Sequence, residues 1–367
     1  MVQINTEEMR SDYMALMSDL KVFNNAEVAI KGWYWALPSK ELKKGKIQGL
    51  KLLGLDLAIY RGESGKVYAI EAYCPHMGAH FKEGSVEKEG VQCAFHGWKF
   101  DEKGECIDIP CLSSSKKQLK MSPLKRYAVA EKYGLIWVNT EPLLEGETTK
   151  EAPLPEFKDF AGQDGEKKPE IEYVVGGRTF RPCRPEVVML NAIDAHHFNT
   201  VHPEASSLAK GLNLVPKILS SNAIRLENES ALNSDSLLGK LLMPFYRKGN
   251  LTYFLDYWYA STGVVTLGPD FMKLYLLFPH RPTLDGGTEG IMVFLSPKLN
   301  IPFFGKWIAK FIAWLTGVVG GYFERGDRNI FMSINFSMKA PIKADLPIIE
   351  FIRHTENQEF LLINRGK

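Results

Sequence analysis

The chain has 367 residues, 45% hydrophobic and 24% charged, which is enough for two ordinary domains that each bury a core. With 45 basic and 43 acidic side chains the net charge is +2, and no basic run stands out, so composition gives no case for nucleic acid as a partner. Five cysteines, an odd number without the spacing of a disulfide framework, and an N-terminus without a secretion signal lead us to expect a reducing, cytoplasmic setting.

Residues 1–24 read as a peripheral helical extension. From "GWYWALPSKEL" onward the texture turns to short β-rich runs such as "KLLGLDLAIYR", "GKVYAIEAYC", "GVQCAFHGWKFD" and "YAVAEKYGLIWVNT". Their turn spacing suits an antiparallel β domain over 25–145. The polar stretch 141–170, rich in Pro and Glu, reads as a connection, and 146–367 as a second, α+β domain. There "PEVVMLNAIDAHHFNTVHPEASSLAKG" predicts a helix that Pro203 and Gly211 help to end. "GNLTYFLDYWYASTGVVTLG", "MKLYLLFPHRP" and "TEGIMVFLSP" predict strands. "IPFFGKWIAKFIAWLTGVVGGYF" (301–323) is strongly apolar, but Lys306, Lys310 and Pro302 interrupt it. A spanning helix wants roughly 20 apolar residues with few charges, so a buried or surface-lying helix leading into "GYFERGDRNIF" is expected, with room for peripheral membrane contact.

One stretch, Cys74 to Phe100, holds Cys74-Pro75-His76 and, after sixteen intervening residues, Cys93-x-x-His96-Gly97-Trp98. Two thiolates and two imidazoles could hold structural zinc. Zinc fingers usually pair Cys with Cys and His with His, however, whereas here each arm supplies one of each. That is the ligand division of a Rieske [2Fe–2S] centre, with two Cys on one iron and two His on the other. Glycine after each arm would let backbone approach the cluster. Cys106, Cys111 and Cys183 fall outside the pattern and read as structural, and His80 as a surface histidine. Such a cluster alone is a one-electron relay.

A second cluster lies in "NAIDAHHFNTVHP". Asp194 and His197, three apart, share a helix face. His197 and His202, five apart, sit about 140° apart on an ideal helix and converge only if the helix is distorted or ends between them. By itself the cluster is equally readable as histidines on a helix surface.

The two motifs together resemble the Rieske non-haem iron oxygenases. The resemblance implies an N-terminal antiparallel β Rieske domain followed by a helix-grip (START-like) α+β catalytic domain. It also implies one [2Fe–2S] cluster on Cys74, His76, Cys93 and His96, and one mononuclear Fe(II) on His197, His202 and a carboxylate from a C-terminal helix. Asp327 in "ERGDRNIF" fits that place, with Glu324 as the fallback and Gly326 standing where the family commonly has an acid or amide. Family members are usually homotrimers fed by a ferredoxin or flavin reductase, with NAD(P)H acting only through it. The resemblance makes Asp194 the bridge that hydrogen-bonds its own His197 and a neighbour's His96, and Asn191 fits an Asn often found three residues before that Asp.

The run from Gly32 to Phe81 and "GECIDIP" after the second arm are similar to the group holding the ketosteroid hydroxylases, cholesterol 7-desaturases and bacterial sterol-demethylating oxygenases, which implies O2-dependent oxidation of a sterol, steroid or other bulky apolar compound. Apolar surface in "SDSLLGKLLMPFYRKGNLTYF" and 301–323 suits such a substrate. The same chemistry on a pigment, alkaloid or aromatic compound is the alternative, and a non-enzymatic electron carrier a third.

Overall fold

The computed structural model describes residues 6–112, 123–160, 168–202, 212–228, 252–268, 273–299 and 301–363. The chain divides into two compact units, one formed by Lys31–Leu154 with Ile363 onward, the other by Met1–Ile30 and Pro155–Leu362.

In the first unit a six-stranded antiparallel sheet is ordered Trp33–Pro38, Leu135–Pro142, Arg126–Lys132, Val67–Glu71, Leu55–Arg61, Ile47–Leu52. Its strands are rich in β-branched and aromatic residues, which suit a pleated, buried surface. Trp33, Trp35 and Trp137 are among its fully buried side chains, each contributing roughly 1.5–3 kcal/mol or more on burial. A four-stranded sheet, Ser85–Glu87, Gly90–Gln92, Lys99–Phe100 and Cys106–Asp108 in that order, carries the second Cys/His arm in the connection between its second and third strands. Phe81, Val91, Trp98 and Phe100 pack with Cys74 and Cys93 in one core cluster.

The second unit is built on a seven-stranded antiparallel sheet ordered Ile171–Arg181, Thr288–Pro297, Leu274–Pro282, Thr262–Gly268, Thr252–Trp258, Ala223–Asn228, Leu214–Ser220. Its four described helices are α1 (Thr6–Ser18), α2 (Pro185–Ile193), α3 (Gly305–Phe331) and α4 (Leu346–Glu356). The 27-residue α3 lies across the strands Ile171–Arg181 and Thr288–Pro297. A sheet held against one long helix is the α+β architecture expected of the second half.

The described part of the N-terminal segment, from Thr6, falls in this second unit. Tyr13, Val22 and Phe23 are buried, and the Glu356 carboxylate accepts the backbone N–H groups of Lys21, Val22 and Phe23 at 2.8, 3.0 and 2.6 Å. A carboxylate that collects three amide donors ties the segment to the C-terminal end of α4. Val28–Ile30 then pairs antiparallel with Phe360–Leu362.

The helix expected from residue 185 is far shorter than its sequence suggested. α2 ends at Ile193, Asp194 leaves the helical region with ψ 93°, and a 3₁₀ turn follows at Ala195–Asn199. The Asp194 carboxylate accepts the His196 N–H at 2.9 Å. This local side-chain bond competes with the helix ladder and ends it. Pro203 and Gly211, expected to end the helix, lie outside the described residues, as does most of the apolar stretch 234–254. Among the described residues no helix is long and apolar enough to cross a membrane.

Candidate metal centres

The two Cys/His arms form loops with the same backbone bonding. In the first, Cys74 N–H donates to Ala79 O and Gly78 N–H donates to Cys74 O, both at 2.9 Å. In the second, Cys93 N–H donates to Trp98 O at 2.9 Å and Gly97 N–H to Cys93 O at 3.1 Å. Gly78 and Gly97, each four residues after its cysteine, take φ of +73° and +71°, a left-handed conformation that glycine adopts without strain. The imidazole hangs two residues after the cysteine in one loop and three after it in the other, yet the rings of His76 and His96 meet with centroids 4.5 Å apart.

Thiols and imidazoles face opposite environments. Cys74 and Cys93 are 2% and 3% exposed, whereas His76 and His96 are exposed. His76 stacks on Trp98 at 4.6 Å and 7°, and Phe95 lies against His96. Burial pushes the Cys74 thiol up, so this sulfur keeps its proton unless a cation replaces it. Two buried soft donors beside two surface imidazoles fit a centre with one iron held by each pair. His80 lies partly buried outside this set. Its Nδ1 accepts the Lys82 N–H at 3.0 Å, so it caps the following turn rather than lying free at the surface.

In the second unit His197, His202 and Asp327 each offer a ligand atom, and these atoms lie within 4.8 Å of one another. The end of α2 makes this possible: the chain turns at Asp194, so the two histidines are not held to helical phase. His202 is 2% exposed and its Nε2 meets Asp327 Oδ1 at 2.8 Å, while His197 Nε2 stands 3.8 Å from the same oxygen. The other oxygen, Oδ2, accepts Asn191 Nδ2–H at 2.7 Å. Asn191 thereby turns one edge of the carboxylate away and leaves the other toward both imidazoles. Two imidazoles and a carboxylate at this spacing fit the donor set of a non-haem Fe(II) centre with open positions.

The remaining expected residues fall differently. His197 Nδ1 contacts the backbone carbonyl of Asp194 rather than its carboxylate; the carboxylate instead holds the His196 amide. The carbonyl fixes the His197 tautomer, leaving Nε2 toward Asp327. Glu324, the fallback ligand, is bound by Arg181 and is not part of the cluster. His196 is exposed.

Two contributions escaped the sequence. A Cβ at Gly326 would stand 3.0 Å from His202 Cε1 and 3.1 Å from Val201 Cγ1, so glycine lets the imidazole lie against the α3 backbone. Tyr253 and Tyr257 donate their hydroxyls to Ala192 O and Met189 O at 3.2 and 3.0 Å, satisfying carbonyls at the end of α2. Their i, i+4 spacing on one strand, which puts both on one face, was the available signal.

Residues 32–128 match the Rieske [2Fe–2S] domain family. The chain is 32% identical over 187 residues to cholesterol 7-desaturase from Bombyx mori, covering 49% of this chain and 37% of that protein. It is 27% identical over 173 residues to the oxygenase component of 3-ketosteroid-9-alpha-monooxygenase from Rhodococcus rhodochrous, covering 47% of this chain and 43% of that one. The chain thus matches less than half the length of either relative. A crystal structure of dicamba monooxygenase with non-heme iron and dicamba shares the fold, with TM-score 0.56 at 19% identity over 91% of this chain and 97% of that one. Residues 32–128 are thus a Rieske domain, which implies a [2Fe–2S] cluster. The domain and the curated relatives together support a Rieske oxygenase component.

Proposed function

We propose that the chain is the oxygenase component of a monooxygenase that uses O2 and reductase-supplied electrons to oxidise a bulky apolar substrate of the sterol or steroid class. The reading is carried by one observation: His197, His202 and Asp327 converge in a chain that also holds a Rieske domain. A relay alone has no use for that second donor set. Sterol chemistry is supported by what the two curated relatives act on.

In this reading Cys74, His76, Cys93 and His96 hold the cluster, and His197, His202 and Asp327 hold a mononuclear iron. When bound, the cluster supplies single electrons and the iron a site for dioxygen. The protein's own groups set the stage. Asn191 fixes the Asp327 carboxylate, the Asp194 carbonyl fixes the His197 ring, and Gly326 gives His202 room. A ferredoxin or flavin reductase donates to the exposed His76/His96 edge. In a homotrimer that edge would meet Asp194 of a neighbouring copy, whose carboxylate has one oxygen engaged by its own His196 amide and a second for the neighbour's imidazole.

The test is turnover with a surrogate reductase, NAD(P)H and a panel of sterols, steroids and substituted aromatics, with product masses measured. A sterol or steroid product carrying a new hydroxyl, a new double bond or a lost methyl supports the reading. Products from the aromatics alone would move the chain to the alternative substrate class. Reduction of the cluster without O2-dependent product from any compound would make it an electron carrier.

A further inference from the structure

We infer that α3 docks this protein onto an anionic lipid surface through the outward face of its first four turns and the loop before it. The outward side chains are large and apolar: Phe303, Phe304, Trp307, Phe311, Trp314 and Val318 are 94%, 65%, 73%, 58%, 53% and 53% exposed. Positions 307, 311, 314 and 318 recur at i, i+4, i+7 and i+11, so they line one side of the helix. The inward side is small. Ala309 and Ala313 are fully buried, and Cβ atoms at Gly317 and Gly320 would stand 3.0 and 2.9 Å from the Phe294 ring. A helix that packs on its own sheet through alanine and glycine has placed its aromatic residues where the core does not use them. A contiguous apolar patch of this kind marks an interaction site.

Charge selects the occupant. From Ile301 to Phe323 the only charged residues are Lys306 and Lys310, and the first acid is Glu324. Both lysines are exposed, and they sit one position before Trp307 and Phe311, on the flank of the aromatic stripe. Glu172 approaches Lys306 at 3.5 Å, yet the lysine side chain stays 64% exposed. Tryptophan and phenylalanine bordered by lysine suit an interfacial helix, the rings entering the headgroup boundary and the ammonium groups reaching anionic headgroups. A second copy of the chain fits less well, because a two-fold contact through this face would bring the lysine flanks of two copies together and set like charges against each other. The helix lies on the bilayer and does not cross it, consistent with the absence of a spanning helix among the described residues.

Because Asp327 stands near the other end of the same helix, docking here would also bring the source of a membrane-dissolved substrate to the element that carries a proposed iron ligand. That link rests on the proposed function; the docking itself does not.

Flotation of the intact chain with vesicles of phosphatidylcholine plus phosphatidylserine, and with phosphatidylcholine alone, tests it. The chain is expected to float with the mixed vesicles. A triple variant Trp307→Ser/Phe311→Ser/Trp314→Ser should lower the bound fraction by about tenfold or more, and Lys306→Glu/Lys310→Glu by about tenfold on the anionic vesicles only. All substituted side chains are on the surface, and a thermal melt in circular dichroism checks that the variants fold. A chain that stays unbound with both vesicle types, or a folded triple variant that binds as well as the parent, overturns the inference. So does a parent oligomer that the triple variant splits, because another copy of the chain then covers the face. Flotation needs neither iron nor turnover, so its failure and a failure of the oxygenase reading are separate results.

Discussion

The four proposed cluster ligands come from a single stretch of 23 residues, Cys74 to His96, whereas His197 and Asp327 are 130 residues apart. The first set is arranged by two loops with matching backbone bonds and left-handed glycines, all within one small β unit. The second depends on where α2 stops, how Asp194 turns the chain, and how α3 lies on the sheet. A locally built site should lose function when its own atoms change. A site assembled from distant elements should also respond to residues that never touch metal.

The largest effects sharpen that contrast. Cys93→Ser is expected to remove the cluster, with loss of the visible iron–sulfur absorbance and of all turnover, and to loosen the core that Cys93 shares with Trp98 and Phe100. His202→Ala is expected to abolish turnover as completely while the cluster absorbance stays unchanged. Loss of that absorbance in the His202 variant would mean that the two sites are not independent.

Asp194→Asn comes next. An amide oxygen still accepts the His196 N–H, and the Asp194 carbonyl that holds His197 is untouched. Both metals should therefore stay bound while steady-state turnover falls on the order of a hundredfold or more, if the lost charge served electron passage between copies. Normal single-turnover rates in the variant after prereduction would remove Asp194 from that role.

A smaller effect is expected at Asn191→Ala, which frees Asp327 Oδ2. Loss of an orienting partner typically costs about 10–100-fold in metal affinity, read here by competition with a chelator. No change in affinity would show that the carboxylate is oriented by α3 alone.

The smallest concerns stability. Burial lowers the His280 pKa to about 4, and its Nδ1–H donates to Phe278 O at 2.9 Å. The unfolded chain takes a proton near its ordinary 6.5, which the folded chain refuses. This contribution is therefore full above pH 6.5 and is lost as pH falls toward 4, on the order of 3 kcal/mol in all. His280→Gln should flatten that part of the acid limb in urea unfolding; an unchanged pH slope would assign the acid loss to other groups.

Legibility followed the same division. The Cys/His arms could be read directly, because ligand type, spacing and turn glycines all lie in one segment. The strands of the β unit were equally plain from their alternating residues and turns. The end of α2 was not, because Asp194 ends the helix through a bond to the His196 amide that a helical periodicity does not register. Gly326 looked like a departure from the family pattern; its reason is the imidazole of His202, brought against it by tertiary packing. Glu324 stood close to Asp327 in sequence, and its pairing with Arg181, on a strand of the sheet, is what sets it apart. The anchoring of residues 21–23 by Glu356 was likewise invisible, since the partners are more than 300 residues apart.

The most direct measurement is iron and acid-labile sulfide per chain in the parent protein and in His202→Ala. The account predicts about three iron and two sulfide in the parent and about two of each in the variant. Zinc in place of iron and sulfide at the cysteine loops, or two iron in both proteins, would contradict it.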